Sequence, residues 1–366
     1  MKKSLRLIDI GIIILILIIL ILVVYYRVYF NIDSSQKNGF YGESEILIEN
    51  LDTPWAIDFL PSGEMVFTER GGKVSLFDFD TKETRIIGNI DVSEVSESGL
   101  LGIAVDTEFK DNGFIYVYYT HDSGNRVSRF TFDSNELEDN KLEDEFILLD
   151  NIPNAQFHDG GRIKFGPDSL LYIRTGDATV PSSAQEINSL AGKILRMNKD
   201  GSIPEDNPFG NYVYSYGHRN PQGIAWNSEG TLFSSEHGPT KNDEINILEK
   251  GKNYGWPANC EHDYDLDYDF INPIRCYTEF TLAPSGIAFY QEELYVAGLK
   301  GNQLRRIKFD EAYENITEEE ALFEELGRIR EVVEKDGYLY ITTNNRDGRG
   351  IPQEGDDKIL RISFKV

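Results

Sequence analysis

Six stretches of this sequence share one pattern: a turn, then a short strand rich in aromatic and β-branched residues. They are LPSGEMVFTER (60–70), KDNGFIYVYYT (110–120), GPDSLLYIRTGD (166–177), NSEGTLFSSEHG (227–238), YQEELYVAGLKG (290–301) and EKDGYLYITTNN (334–345). Short apolar runs such as AIDFL, LGIAV, GIAWN, GIAFY and REVVE precede the copies. The copies lie roughly 45 to 60 residues apart, and a period of that size with several strands per unit marks a propeller. No long amphipathic helix interrupts them. The expected fold is therefore all-β: a single six-bladed β-propeller over residues 46–366, with four strands per blade.

The N-terminus stands apart. Lys2, Lys3 and Arg6 precede an apolar run from Ile10 to Tyr26, closed by Tyr25, Tyr26 and Arg27. At ~1.5 Å per residue this run spans roughly 25 Å, near the lower limit for a bilayer. No small-x-small cleavage site follows it, so residues 1–30 read as an uncleaved signal anchor and transmembrane helix. The positive flank belongs inside, which puts residues from about 31 onward, the propeller included, on the extracytoplasmic side of a membrane. Residues 31–45 read as a polar tether.

The net charge of −26 argues against nucleic-acid partners, because so acidic a chain repels phosphate backbones. The two cysteines, Cys260 and Cys276, form an even pair that can oxidise outside the cytoplasm; two free thiols are the alternative.

One repeat copy carries a pattern of its own. In FHDGGRIKFGPDSLLYIRTGDA (157–178), Arg162 to Phe165 and Leu170 to Thr175 read as strands around a Gly166-Pro167-Asp168-Ser169 turn. A hairpin with Gly166 opposite Ser169 places His158 opposite Asp177, close enough for the carboxylate to orient the imidazole. A structural hydrogen bond is the plainer reading of the same pair. In a propeller the open ends of all such hairpins gather on one face. That face would collect Trp55, Glu69, Arg70, Glu97, Gly99, His158, Asp177, Arg219, Asn220, the Glu236-His237-Gly238-Pro239 run, Lys300, Arg328 and Arg330. Four cations from three blades in an acidic chain predict an anionic ligand near the axis. The run EHGPTKNDEINILEKGKNYGWP (236–257) adds Asp243, Glu244 and Asn246 with a Gly-Lys-Asn-Tyr turn, a set of hard oxygen donors that suits Ca²⁺. No His/Cys set has zinc spacing.

These stretches resemble one family across nearly all of residues 50–362. LDTPWAIDFLPSGEMVFTERGGKV, SGLLGIAVDTEFKDNGFIYVYYT, HDGGRIKFGPDSLLYIRTGD, LAGKILRMNKDGSIPEDNPF, YSYGHRNPQGIAW, EHGPTKNDEINILEKGKNYGWP, LYVAGLKGNQLRRI and GRIREV follow in the order of the pyrroloquinoline quinone (PQQ)-dependent aldose sugar dehydrogenases, of the soluble glucose/sorbosone dehydrogenase type. The resemblance implies a six-bladed propeller that uses PQQ and Ca²⁺ to oxidise aldose sugars at C1 to lactones, by His158-assisted hydride transfer to PQQ C5. It implies His158 as the general base, Asp177 as its orienting carboxylate and Arg219 beside the quinone C5 carbonyl. It makes Asn220 a cofactor neighbour, and Lys300, Arg328 and Arg330 the cations that hold the PQQ carboxylates. The carbonyls of Gly238 and Pro239 would bind the Ca²⁺ that touches PQQ, and Glu244 and Tyr254 a further, structural Ca²⁺. Two positions depart from the family pattern: Glu97 stands where glutamine is usual, and Asp159 where asparagine or glutamine is common. Each brings a carboxylate towards an anionic cofactor. The implied partners are an aldose and an electron acceptor that the sequence does not name; a homodimer stays open. Two other classes share the fold: propeller binding proteins related to hedgehog-interacting proteins, and Ca-dependent six-bladed lactonases. Neither requires the full His158, Asp177, Arg219, Lys300, Arg328 and Arg330 set.

Overall fold

A computed structural model describes residues 42–132, 141–258, 260 and 269–364. The residues read as a membrane anchor, and most of those read as tether, lie outside the described residues. Among the described residues, no helix is long and apolar enough to cross a membrane.

The described strands form six four-stranded antiparallel sheets, so the expected six-bladed propeller with four strands per blade is the fold observed. The blades begin with Pro54–Phe59, Leu100–Val105, Ile163–Phe165, Pro221–Trp226, Pro284–Tyr290 and Ile329–Lys335, blades 1 to 6 in order. Their second strands are Met65–Glu69, Phe114–His121, Leu171–Thr175, Leu232–Glu236, Glu293–Gly298 and Tyr338–Thr343. Each repeat copy is thus the turn and second strand of one blade, and each apolar run is a first strand.

Burial explains the pattern. Leu100–Val105 is buried at every position, as a strand covered on both faces must be, and its sequence is a continuous apolar run. The outermost strand of the same blade, Glu143–Ile152, is exposed over most of its length and rich in carboxylates, which discourages pairing with other chains. First strands of adjacent blades pack against each other around most of the ring, and between blades 3 and 4 the second strand Leu171–Thr175 meets the first strand Pro221–Trp226.

Gly42–Ile48 completes blade 6 as its fourth strand, outside Ile359–Phe364. It begins within the stretch read as tether, and Arg361 Nη2 meets Glu45 Oε2 at 2.6 Å across this pairing. The last blade is therefore built from both ends of the propeller, a hydrogen-bonded clasp that closes the ring. In blade 4, a disulfide joins Cys260 to Cys276, with Cα atoms 6.1 Å apart, so the two cysteines do pair.

The register of blade 3 differs from expectation by one residue. Phe165 faces Leu171, Lys164 faces Tyr172 and Ile163 faces Ile173. Continued, this register places His158 opposite Ala178, and the Ala178 amide does donate to the His158 carbonyl at 3.3 Å. A one-residue slip normally turns side chains to opposite faces. Here His158 (φ 68°), Gly160 (φ 67°) and Gly161 (φ 105°) are left-handed and break the alternation before the strand begins. The imidazole is thereby re-aimed at Asp177. Gly176 is part of the same device: a Cβ there would collide with the His158 carbonyl.

Candidate active site

The open ends of the first hairpins meet around the propeller axis, where a cleft of about 290 Å³ is lined by Glu97, Phe157, His158, Arg219, Asn220, His237, Gly238, Pro239 and Lys300, among others. A narrower axial cavity adjoins it through shared residues Glu97 and His237, and includes Trp55, Asp159, Gln222, Arg330 and Arg349.

His158 Nδ1 lies 2.7 Å from Asp177 Oδ1. Asp177 is fully buried, while the imidazole keeps 16% of its surface exposed on the cleft side. Trp256 Nε1 donates to Asp177 Oδ2 at 2.8 Å, and the Thr179 amide donates to Oδ1 at 2.8 Å. With both Asp177 oxygens held by these donors, the carboxylate accepts the Nδ1 proton, which leaves Nε2 free towards the cleft. The Asp177 amide in turn donates to the Arg219 carbonyl, which ties blade 3 to blade 4 at this point.

Arg219 precedes the first strand of blade 4. Its Nη1 donates to the His237 carbonyl at 3.0 Å, its guanidinium lies 5.3 Å from the Trp256 ring centroid, and its buried Nε has no partner among the described residues. Burial lowers its proton affinity, against the pull of Asp177, Glu236 and Glu97. Trp256 therefore touches both the orienting carboxylate and the neighbouring cation. It lies within the GKNYGWP run, away from the hairpin ends that point to Trp55, so the sequence carries no sign that this second tryptophan reaches the site.

The predicted cations divide. Lys300 is exposed in the cleft. Arg330 lines the axial cavity, where it donates to neutral partners Gln222 Oε1, Ser285 Oγ and Asn344 Oδ1 at 3.2–3.4 Å, while its buried Nε has none. Burial brings its guanidinium down to about 10. Arg328 is different: it pairs with buried Asp347 at 2.5 Å and lies outside both linings. Glu69 and Arg70 also serve locally, Glu69 accepting from the Asp52 amide at 2.6 Å and Arg70 pairing with Glu94 at 3.0 Å. The Trp55 ring centroid lies 4.5 Å from the Arg162 guanidinium and 5.6 Å from that of Arg330. Gly99 adopts φ 134° against the Arg70 carbonyl, where a Cβ has no room.

Both departures from the family pattern reach the axis. Glu97 Oε2 accepts from the His158 amide at 3.0 Å and from Asn220 Nδ2 at 3.4 Å. Its Oε1 accepts from Arg349 Nη1 at 2.9 Å. Burial alone would raise this carboxyl, but His237, the His158 amide and Arg349 outweigh it and hold it at about 2. Asp159 is the opposite case. Burial raises it to about 6, against the Asn125 amide and the Ala155 N–H that hold its Oδ1. His237 is pushed down to about 3 by burial and by Arg330, Arg219 and His158, against Glu97, and is neutral at neutral pH.

The oxygen donors fit a hard cation. Gly238 and Pro239 line the cleft, and their carbonyls accept no hydrogen bond among the described residues. Farther out, burial and the neighbouring Glu236 and Asp243 raise the Glu244 carboxyl to about 8. Buried Asn246 Oδ1 beside it has no partner. Such crowding of oxygens is what a divalent ion relieves. The Tyr254 phenol is already engaged by the Ile247 carbonyl and the Glu249 amide, so only its carbonyl remains for a metal. Among the described residues, no group of three or more His, Cys, Asp or Glu side chains could hold an ion, so carbonyls would have to complete any such site.

Residues 51–359 match the family model described as Glucose / Sorbosone dehydrogenase. Aldose sugar dehydrogenase YliI of Escherichia coli is 31% identical over 341 residues, which cover 83% of this chain and 90% of that one. Quinoprotein glucose dehydrogenase B of Acinetobacter calcoaceticus is 32% identical over 269 residues, 63% of this chain and 55% of its own. Among solved structures, the PQQ-bound form of aldose sugar dehydrogenase from Streptomyces coelicolor superposes with a TM-score of 0.82 at 35% identity, over 90% of this chain and 100% of that chain.

Proposed function

This chain belongs to the glucose/sorbosone dehydrogenase family of oxidoreductases, and on that premise we propose that it oxidises aldose sugars at C1 to lactones with PQQ and Ca²⁺. The observation that carries this reading is the His158–Asp177 pair, opening onto a cleft whose cations Arg219 and Lys300 suit a tricarboxylate. When bound, PQQ would supply the two-electron acceptor for the C1 hydride and Ca²⁺ the Lewis acid that draws charge from it.

The chain's own residues supply the rest. His158 Nε2 takes the proton of the anomeric hydroxyl, and Asp177 Oδ1 holds the Nδ1 proton and stabilises the imidazolium that forms. Help of this kind is worth ~10²–10⁴-fold in rate. Arg219, held by the His237 carbonyl and the Trp256 face, places positive charge where negative charge develops. Lys300 and Arg330 would hold cofactor carboxylates, and the Gly238 and Pro239 carbonyls the Ca²⁺ beside it. Arg328, spent on Asp347, is a weaker candidate for that role.

The test is a titration of the purified, Ca²⁺-supplied protein with PQQ, followed by addition of aldoses. The expected result is saturable PQQ binding, then sugar-dependent reduction of an artificial dye with release of a lactone. A folded protein that binds PQQ but leaves every aldose untouched would refute the activity. One that ignores PQQ would bring the binding-protein reading forward.

A further inference from the structure

We propose that Arg349 is the built-in counter-cation of Glu97, and that this pairing is what allows a site for an anionic cofactor to carry a carboxylate in its wall. The proposal rests on the PQQ reading above and concerns how this chain's own residues tolerate that group.

Glu97 cannot turn away from the site. It borders both the cleft and the axial cavity, and its Oε2 is tied to the His158 amide and to Asn220. Its remaining oxygen faces Arg349 at 2.9 Å. Arg349 comes from the connection between the blade 6 strands Tyr338–Thr343 and Ile359–Phe364, 252 residues along the chain from Glu97. Several contacts aim it. Its amide donates to Asp347 Oδ1 at 2.9 Å, its Nη2 reaches Ser96 Oγ at 3.4 Å, and its guanidinium lies 5.5 Å from the Phe157 ring centroid.

The pair is partly exposed, 20% for the Glu97 side chain and 42% for that of Arg349, so as an ion pair it adds little to fold stability. Its consequence is local. An uncompensated carboxylate at position 97 would repel an anion entering the cleft, and Arg349 cancels that charge at its source. Arg349 then matters only while residue 97 is acidic, which separates this role from direct contact with the cofactor.

A double-mutant cycle on PQQ affinity decides the matter. Dissociation constants are measured by quinone absorbance for the full-length Ca²⁺-loaded protein, R349Q, E97Q and the double variant, with circular dichroism confirming the fold of each. R349Q should bind PQQ about tenfold more weakly, E97Q at least as tightly as the parent, and the double variant like E97Q, so that the two sites couple strongly. If R349Q weakens binding as much in the E97Q background as in the parent, Arg349 contacts the cofactor directly and the proposal falls. If R349Q binds like the parent, Glu97 needs no counter-cation and it falls again. Parent protein that binds no PQQ would overturn the functional reading itself, and this proposal with it.

Discussion

Blades 3 and 6 present the same frame to the axis, yet their charged residues end in different states. In blade 3, His158 and Asp177 meet at 2.7 Å, and among the described residues no Lys or Arg pairs with the carboxylate; its other oxygen receives the Trp256 N–H. In blade 6, Arg328 meets Asp347 at 2.5 Å and is consumed there. Arg330, two residues on, has only neutral hydrogen-bond partners among the described residues. The frame decides which face a residue reaches. Whether it stays available for chemistry depends on what the adjoining loop puts beside it.

Breaking the blade 3 pair should have the largest effect. H158A and D177N should each reduce turnover by ~10²–10⁴-fold while PQQ and Ca²⁺ still bind. Steady-state kinetics with a binding titration on the same samples would check this. Unchanged turnover in H158A would remove the imidazole from the mechanism and leave the pair a structural hydrogen bond.

That pair was legible in the sequence for a reason that is only partly geometric. The turn and the apolar runs locate both strands, but the register read from Gly166 and Ser169 is one residue off the observed one. The contact survives because left-handed His158, Gly160 and Gly161 re-aim the side chain, a backbone effect that strand alternation does not encode. The clasp of blade 6 was illegible for another reason. The first four residues of the outer strand, GESE (42–45), are polar and read as tether until Ile359–Phe364 pairs with the strand. Arg349 was invisible because only the closed ring brings residue 349 to residue 97. The four cations were found by position, whereas Asp347, which removes Arg328 from the set, lies in a loop with no strand pattern to place it.

The blade 6 arginines sharpen the comparison at intermediate size, through effects of opposite sign. R328Q removes the guanidinium paired with Asp347, only 3% exposed, and leaves that carboxylate the Arg349 amide on Oδ1, so it should destabilise the fold by about 3 kcal/mol. R330Q removes a desolvated cation that has no acidic partner, so the cofactor-free protein should be as stable as the parent or more so. Its cost should fall on PQQ affinity, by about tenfold. Thermal unfolding of the apo variants and PQQ titration would show the two effects separately. Equal losses of affinity in both variants would mean that the Asp347 pair opens to admit the cofactor.

The smallest effect tests what makes blade 3 different, the tryptophan in place of a cation. Trp256 does two jobs: its Nε1–H holds Asp177 Oδ2 at 2.8 Å, and its ring supports the Arg219 guanidinium at 5.3 Å. W256F keeps a ring and removes the donor. A hydrogen bond to a charged group contributes ~1.5–3 kcal/mol, part of which water or a shifted neighbour replaces, so turnover should fall by about tenfold with PQQ affinity unchanged. W256A removes the ring as well. Arg219 then loses a cation–π contact worth ~0.5–2 kcal/mol, and PQQ affinity should fall along with turnover. If W256F matches the parent in kcat, the amide of Thr179 suffices to orient Asp177, and the indole serves Arg219 alone. If W256F loses affinity as well as turnover, the two jobs are one, because Asp177 and Arg219 move together through the backbone bond between them.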